Sequence, residues 1–587
     1  MALRICLVTP FAWSQPHPVN EHVAGAAEAL RALGHDVTVL GPSTRARDLA
    51  AGRRALRRLA RGERRLDGFV ALGPAIPVAP RNRIGVPVGV RANLELVLTK
   101  GAFDVVHGHE PGLASLSYLA LRDTATIAVA TFHDPERLGY PPGKAQRARL
   151  LGRLDALTAT SSATATAAAA RYPGDYRLLP AGVDAELFAP GEEQQRFVLE
   201  WDADARPVAR AAIRALAALP GWQLSVLRPS ALVARPYVPR DLRDRVSVLV
   251  AGSASARAEL LGGAAGFIAG TSESSRLRLE AAAAGAPLVA PPGRLQQPEL
   301  VAAEMQRLAD DRAYRRKRSQ SARAEAEAQG FGELGKALDG LYRSLMRRRR
   351  AAPQASDPLE DREWILADLH MHTEHSHDCS IPVAELLDHA ERIGLGAIAV
   401  TDHNVFAGAL EAVELARGRR LRVIPGEEVK TDGQGEVIGL FLREEIPRGL
   451  AMGDTIAAIR DQGGLVYLPH PFDRLHAIPD AATLHRHLAE IDVLEVYNAR
   501  LLRDSFNDEA MRFARKYNLL AGAGSDAHVL QGVGTGLVRM RAFETPEEFL
   551  ISLRSAEVLR RPKSLLYLQG LKWMAQARER RVKAAAR

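Results

Sequence analysis

Cysteine is nearly absent: Cys6 and Cys379 are the only two in 587 residues. That excludes a disulfide framework and fits a reducing compartment. Long apolar runs are missing too. None approaches the roughly 20 residues that span a bilayer, and the opening MALRICLVTP is too short and too strand-like for a signal peptide. A cytoplasmic protein is expected. Aromatic residues make up only 5% of the chain. They do not interleave with the basic clusters, which argues against a stacking platform for single-stranded nucleic acid.

What the chain has in excess is arginine. Net charge is +9, gathered in RRALRRLARGERR from Arg53, RRKR from Arg315, RRRR from Arg347 and the tail ARERRVKAAAR. Two readings fit: solvated helix faces, or contact with an anionic membrane surface or nucleic acid, which would make the protein peripheral at a membrane. The length exceeds one core and implies three or four domains of about 100–200 residues.

Organisation follows from the alternation of apolar runs. RICLVTP, the helical pattern VNEHVAGAAEALRALGH and DVTVLGP make strand, helix, strand, a parallel α/β unit. The alternation continues through FDVVHGHEP, TIAVATFHD and ALTATSS. It restarts after LPAGVDAELFAP with RFVLEW, ARAAIRALAAL, WQLSVLRP, RVSVLVAG, GAAGFIAG and APLVAP. Two doubly wound lobes are predicted, 1–175 and 176–345, and the second closes on an alanine-rich helical stretch. RRRRAAPQASDPLEDRE marks a linker over 346–362. A third domain, 363–562, carries WILADLH, AIAVTDH, RVIPGEEV, VIGLFL, LVYLPH, VLEVYN and LLAGAGSDAH. Ionisable residues recur at the ends of these strands, where a closed β/α barrel carries its active site. Residues 563–587 predict a basic amphipathic tail.

Eleven of the 17 histidines fall between His370 and His528. They come with carboxylates at successive strand ends: His370, His372 and Asp378; His403 in TDHN; Glu428 in GEEV; His470 in LPHPF; Asp526 and His528 in GSDAH. Residues two apart on a strand share a face, which joins His370 to His372 and Asp526 to His528. Mixed imidazole and carboxylate suits zinc, manganese or iron and not calcium.

DLHMHTEHSHD, TDHN, GEEV, PHP and GSDAH, in this order, resemble the PHP superfamily, named for polymerase and histidinol phosphatase. The resemblance spans about 363–560. It implies a distorted seven-stranded β/α barrel with two or three divalent metal ions (Mn, Fe or Zn) that hydrolyses phosphate esters. By motif, His370, His372, Glu428 and Asp526 would hold one ion. Glu428 would bridge to a second with His470, and Asp378, His403 and His528 would hold a third. The family's substrates imply a phosphorylated small molecule, a nucleotide or an oligonucleotide end. Glu436 stands where many members place histidine. A carboxylate still ligates there but shifts the expectation from zinc toward manganese or iron. The spacer in SHD favours Asp378 over His377 as the ligand and leaves His375 and His377 in supporting positions. Arg474 in HPFDR and Arg500 in YNAR follow strand ends and offer guanidinium clamps for phosphate, with a salt bridge as the alternative for each.

Residues 3–190 resemble the family 4 retaining glycosyltransferases, phosphatidylinositol mannosyltransferases among them, with two Rossmann-like lobes (the GT-B fold). The carrying stretches are VNEHVAGAAEALRALGHDVTVLGP, FDVVHGHEPGLASLSYLAL, ATFHD and LLPAGVDAELFAP, and the second lobe extends the resemblance to about 1–345. His109 matches the histidine near the transferred sugar. Three donor positions depart. His17 and Pro18 replace paired glycines, and proline has no N–H for a diphosphate. Glu200 and Arg206 stand where the family grips the diphosphate with arginine and lysine. Glu273 and Glu280 are seven apart instead of eight, so only Glu280 keeps register. The expectation is a phosphoesterase fused to a degenerate, substrate-binding transferase-like module, with His109, Glu280 and Arg206 as its contact candidates. The rivals are an active nucleotide-sugar-dependent transferase with an accessory barrel, and a scaffold on anionic lipid.

Overall fold

The computed structural model describes the chain apart from residues 1, 64–65, 80–81, 86–89, 202–205, 230–232, 251, 271–275, 290–297, 351–357, 565 and 575–587. Glu273, much of the expected linker and the end of the basic tail therefore lie outside the described residues. The chain forms two compact units, Met1–Met346 and Arg347–Arg587. Among the described residues no helix is long and apolar enough to cross a membrane.

The first unit holds two sheets. One is built from β1 (Arg4–Val8), β2 (Asp36–Ser43), β3 (Gly68–Ala79), β4 (Asn82–Gly85), β5 (Val105–His109), β6 (Ile127–Phe132), β7 (Ala156–Ala159) and β8 (Tyr176–Leu178) in the order β4-β3-β2-β1-β5-β6-β7-β8. All pairs are parallel except β3 with β4. Strand order reverses between β1 and β5, so the crevice beyond their ends is the natural ligand position of an open α/β sheet. His109 is the last residue of β5. The second sheet has β9 (Gln194–Glu200), β10 (Gln223–Arg228), β11 (Val246–Val250) and β12 (Ala264–Ile268) in the order β11-β10-β9-β12. The expected strand at APLVAP is reduced to one parallel bridge, Phe267 to Leu288. The last helix, Phe331–Met346, packs on the helix Pro18–Ala32. Two glycines allow that approach: a Cβ on Gly25 would lie 2.3 Å from the Phe331 ring, and one on Gly335 would lie 2.8 Å from Ala29 Cβ.

The second unit is a barrel. Its strands are β13 (Trp364–Met371), β14 (Ala397–Val400), β15 (Arg422–Lys430), β16 (Glu436–Leu440), β17 (Leu465–Leu468), β18 (Val493–Asn498), β19 (Leu520–Gly524), β20 (Gly536–Arg541) and β21 (Glu557–Arg560). β13 to β19 run in sequence around the ring. Closure comes where His370 O accepts from Asp526 N at 2.8 Å and Ala527 O accepts from His372 N at 3.1 Å. β20 and β21 add antiparallel strands beyond β13, so the sheet counts nine strands against the seven expected. The strand–helix alternation also breaks once. β15 and β16 are antiparallel, because the five residues between them are too few for a crossover helix. The hairpin turns at Gly433 and Gly435, both at positive φ (74° and 82°). It returns the chain so that Glu436 lies opposite Lys430, at the end of the barrel where β15 finishes.

The RRRR run read as linker starts the second unit. Arg350 N donates to Tyr517 O at 3.0 Å, and its guanidinium donates to the carbonyls of Ala489 and Ile491.

Candidate metal centre

The ligand candidates sit where strands end. His370 is the penultimate residue of β13 and His372 follows it, flanking the fully buried Met371. Asn404, His470 and Asp526 adopt positive φ (55°, 25° and 51°) without being glycine. Such backbone costs about 1–3 kcal/mol per residue and persists where surrounding structure over-determines it. Here it turns the chain off the strand ends so that His470 and Asp526 face the barrel mouth. Gly524 makes room: a Cβ there would lie 2.2 Å from His370 Cβ.

Glu428 is the hub. Its Oε2 lies 3.2 Å from His370 Nε2, 3.5 Å from His372 Nε2 and 3.1 Å from His403 Nδ1, while Oε1 lies 3.1 Å from His470 Nε2. Asp526 Oδ1 is 3.4 Å from both His372 Nε2 and His528 Nδ1. Asp378 lies 2.9 Å from His528 Nε2 and 3.8 Å from His403 Nε2. Glu436 reaches to 3.8 Å of His470 Nε2. Ring nitrogens and carboxylate oxygens fall into overlapping sets within 4.8 Å: His370, His372 and Glu428; His370, His470 and Asp526; His372, His403 and His528; His403, Glu428 and Glu436. All nine sequence-predicted ligand candidates thus come together.

Two groups that the sequence reading missed orient the rings. Glu495, fully buried in β18, accepts from His370 Nδ1 at 3.0 Å and from Tyr467 Oη at 3.1 Å. Its other oxygen accepts from His470 N at 2.7 Å. His370 is left with Nε2 as the lone-pair donor, the arrangement by which a carboxylate fixes a metal-binding imidazole. A lone acid inside the apolar run VLEVYN was the available signal. Asp402 acts more remotely. It accepts from Ser376 Oγ at 2.9 Å, and Ser376 Oγ lies 3.3 Å from His372 Nδ1, which turns His372 Nε2 toward Glu428 and Asp526. That Nε2 is buried without a hydrogen bond, a donor set aimed at a cation.

The electrostatics agree. Burial works against charge on Glu428, yet His370 and His403 hold its carboxyl well below the usual range. Burial pulls His403 and His470 down, and Glu428 outweighs it, lifting each to about 9. Burial, His528 and His403 hold His372 well below its ordinary value, in the ligating form. Burial and the Glu428 charge raise Glu436.

The arginines divide. Arg500 donates to Asp526 Oδ1 at 3.3 Å and lies 3.1 Å from the His528 ring nitrogens, inside the basket. Arg474 instead pairs with Glu509 at 3.0 Å and stacks over Phe506, the salt-bridge role and not the clamp. His375 pairs with Glu411 at 2.8 Å, and the His377 ring lies 5.6 Å from that of His403. Lys572, which the sequence did not single out, places its ammonium 2.8 Å from Asp378.

In the first unit a cleft of about 1430 Å³ is lined by His17, Pro18, His22, His133, Glu200, Arg257, Arg276 and Glu280, among others. Pro18 opens the helix behind it and His17 caps it, accepting from Val19 N at 3.2 Å. Glu200 accepts from Gly270 N at 3.1 Å. Glu280 lines the cleft but is pinned on both oxygens by Arg257 (2.7 Å) and on one by Arg276 (2.9 Å). His109 is fully buried behind His22 and His133. Arg206 is exposed and is not among the described lining residues.

A barrel whose mouth gathers imidazoles and carboxylates on strand ends has the donor set of a metal site. The PHP domain family matches residues 368–502, a PHP-associated family matches 504–558, and Glycosyltransferase Family 4 matches 19–187. An uncharacterized protein of Methanocaldococcus jannaschii is 36% identical over 156 residues, 24% of this chain and 65% of that protein. A phosphatidyl-myo-inositol mannosyltransferase of Propionibacterium freudenreichii is 33% identical over 171 residues, 28% of this chain and 42% of that protein. The chain thus spans less than two thirds of the length of either relative. Sucrose-phosphate synthase from Thermosynechococcus elongatus aligns with a TM-score of 0.41 at 17% identity, over 59% of this chain and 99% of that structure.

Proposed function

We propose that the barrel hydrolyses a phosphate ester using two or three divalent ions of manganese, iron or zinc. His370, His372, Glu428 and Asp526 would hold one, Glu428, Glu436 and His470 a second, and Asp378, His403 and His528 a third. The observation that carries this reading is Glu428, whose two oxygens meet four imidazoles at 3.1–3.5 Å. When bound, such ions neutralise phosphate charge and make hydroxide available near neutral pH. The chain's own part is to fix geometry. Glu495 and the Ser376–Asp402 pair hold His370 and His372 in their ligating orientation, and Arg500 offers its guanidinium to a phosphate oxygen beside Asp526. No side-chain nucleophile is required. The substrate is a phosphorylated small molecule or an oligonucleotide end, and the transferase-like module binds or positions it. The pinned Glu280 and the proline at position 18 support that module as a binder in place of an active transferase.

The test is hydrolysis of a panel of phosphate esters with manganese added. Asp526→Ala should remove bound metal and lower the rate by about 10²–10³-fold, the loss of several kcal/mol of transition-state stabilisation. Full activity in this variant, or in the unaltered chain after chelation, would overturn the proposal.

A further inference from the structure

A second gathering of histidines lies in the first unit, at the strand-order reversal beside the cleft, separate from the barrel. His109 ends β5, His133 follows β6, and His22 comes from the helix Pro18–Ala32. One ring nitrogen of each lies within 4.8 Å of one from each of the other two. His107, the fourth histidine there, is satisfied at both nitrogens, by Tyr342 Oη and Thr131 Oγ1 at 2.6 Å each. The other three are not. His22 Nδ1 donates to Ala181 O at 2.7 Å, which leaves Nε2 as the lone-pair nitrogen, and that atom is buried without a partner. His109 Nδ1 lies 2.9 Å from His133 Nε2, and His109 Nε2 is also buried without a partner. If His133 were the donor, His109 would bury an N–H with no acceptor, at about 1–3 kcal/mol. Donation from His109 to His133 instead exposes a second free lone pair on His109.

The surroundings suit a cation. Arg137 is paired with Asp134 at 3.2 Å, and Arg276 with Glu21 at 3.0 Å and Glu280 at 2.9 Å, so the nearby positive charge is compensated. Glu110, at φ 52°, turns back so that its Oε1 accepts from His133 N at 2.6 Å and Asp134 N at 2.8 Å, fixing the segment that carries His133. Burial keeps His22, His109 and His133 below the ordinary imidazole range, in the neutral form that ligates.

We propose that His22, His109 and His133 form a site for one divalent transition-metal ion, zinc by preference of an all-imidazole donor set, with its fourth position open to the cleft that His22 and His133 line. Ligation by His133 Nε2 would replace the hydrogen bond it accepts from His109, and the three nitrogens would close from within 4.8 Å of one another onto zinc–nitrogen distances of about 2.0–2.1 Å. The site is independent of the barrel's ions and of the phosphoesterase reading.

Cobalt(II) is the probe, titrated into the full chain carrying His370→Ala and Asp526→Ala so that barrel ions do not dominate the signal. About one equivalent should bind with the visible d–d absorption of a tetrahedral nitrogen site. His109→Ala added to that background should abolish the band. His22→Gln, whose side chain still reaches Ala181 O, serves as the second variant and should also abolish it with the melting temperature unchanged. In the otherwise unaltered chain, His22→Gln should lower bound zinc by about one equivalent. A background chain that binds no cobalt, or a band that survives in folded His22→Gln, overturns the proposal.

Discussion

The histidines around Glu428 and those around His109 respond to burial in opposite ways. In the barrel, burial is outweighed by Glu428, which lies within 3.2 Å of His370, His403 and His470, and these rings are held above the ordinary imidazole range. In the first unit, burial acts without a carboxylate partner. His22 is pushed down to about 4 and His107 to about 3, and the buried acid beside them, Glu110, is itself pushed up to about 8. The side chain is the same and the depth is similar. The Glu428 carboxylate accounts for the upward shift of His370, His403 and His470, while His372, beside His403 and His528, stays low as the first-unit cluster does. The company of carboxylates decides what each site can bind: a mixed set for several hard or borderline ions, or an all-nitrogen set for one softer ion.

The comparison breaks first on phosphate. A cleft with Pro18 and Glu200 at the expected diphosphate positions, and with Arg257 and Arg276 paired to Glu280, should not hold a nucleotide diphosphate-sugar, whereas the barrel should hold phosphate through ions and Arg500. Losing one charge-assisted contact costs roughly 1.5–3 kcal/mol, and a carboxylate at Glu200 adds repulsion of about 1 kcal/mol. Affinity for GDP- or UDP-sugars should therefore fall by about two to three decades, to no binding at sub-millimolar concentration by calorimetry. Glu200→Arg with Arg206→Lys should recover part of it, limited by Pro18. A micromolar dissociation constant for the unaltered chain would erase the contrast and make the active-transferase reading lead.

Much of this was legible in the sequence because each motif sits at a strand end, and period-two patterning says where strands end. That logic singled out eight of the ligand candidates and both sheets of the first unit, while Glu436, at the start of β16, came only from the family resemblance. It failed where the needed information is three-dimensional. Glu495 hides inside an apolar strand and declares itself only by facing His370. Arg474 follows a strand end like Arg500, yet Glu509 on the helix Asp504–Tyr517 captures it. β16 reads as another strand of the alternation, and only the shortness of TDGQG reveals the reversal. The clustering depends on His22 meeting His109 and His133, which lie more than 80 residues further along the chain, at one crevice.

A smaller effect sharpens the barrel side of the comparison. If carboxylate company orients the imidazoles, Glu495→Gln should keep the fold but weaken the acceptor at His370 Nδ1. Substitution of such an outer partner costs about 10–100-fold in metal affinity. Competition with a chelator should show that shift for one ion, while the cobalt site of the first unit is unmoved. Equal weakening at both sites, or at neither, would mean that Glu495 only fills space.

The smallest expected effect separates the two arginines. Arg474 and Arg500 occupy comparable places in sequence, each following the end of a barrel strand, β17 and β18. Their partners differ. Arg500 touches Asp526 and His528 within the basket. Arg474 pairs with Glu509 and is about a third exposed (side chain 37%). A pair at that exposure contributes about 0–1 kcal/mol to stability once solvent screening is counted. It makes no contact with any ligand candidate. Arg474→Ala should therefore change kcat/KM by less than about fivefold and leave metal content untouched, since 1 kcal/mol corresponds to roughly a factor of five. Arg500→Ala should lower kcat/KM by about 10²-fold, the loss of one preorganised donor. Measured side by side on whichever ester the panel selects, the two variants decide whether position after a strand end is enough to make an arginine functional. A large loss in Arg474→Ala would show that Arg474 leaves Glu509 for the substrate, and that the ion pair is a resting position.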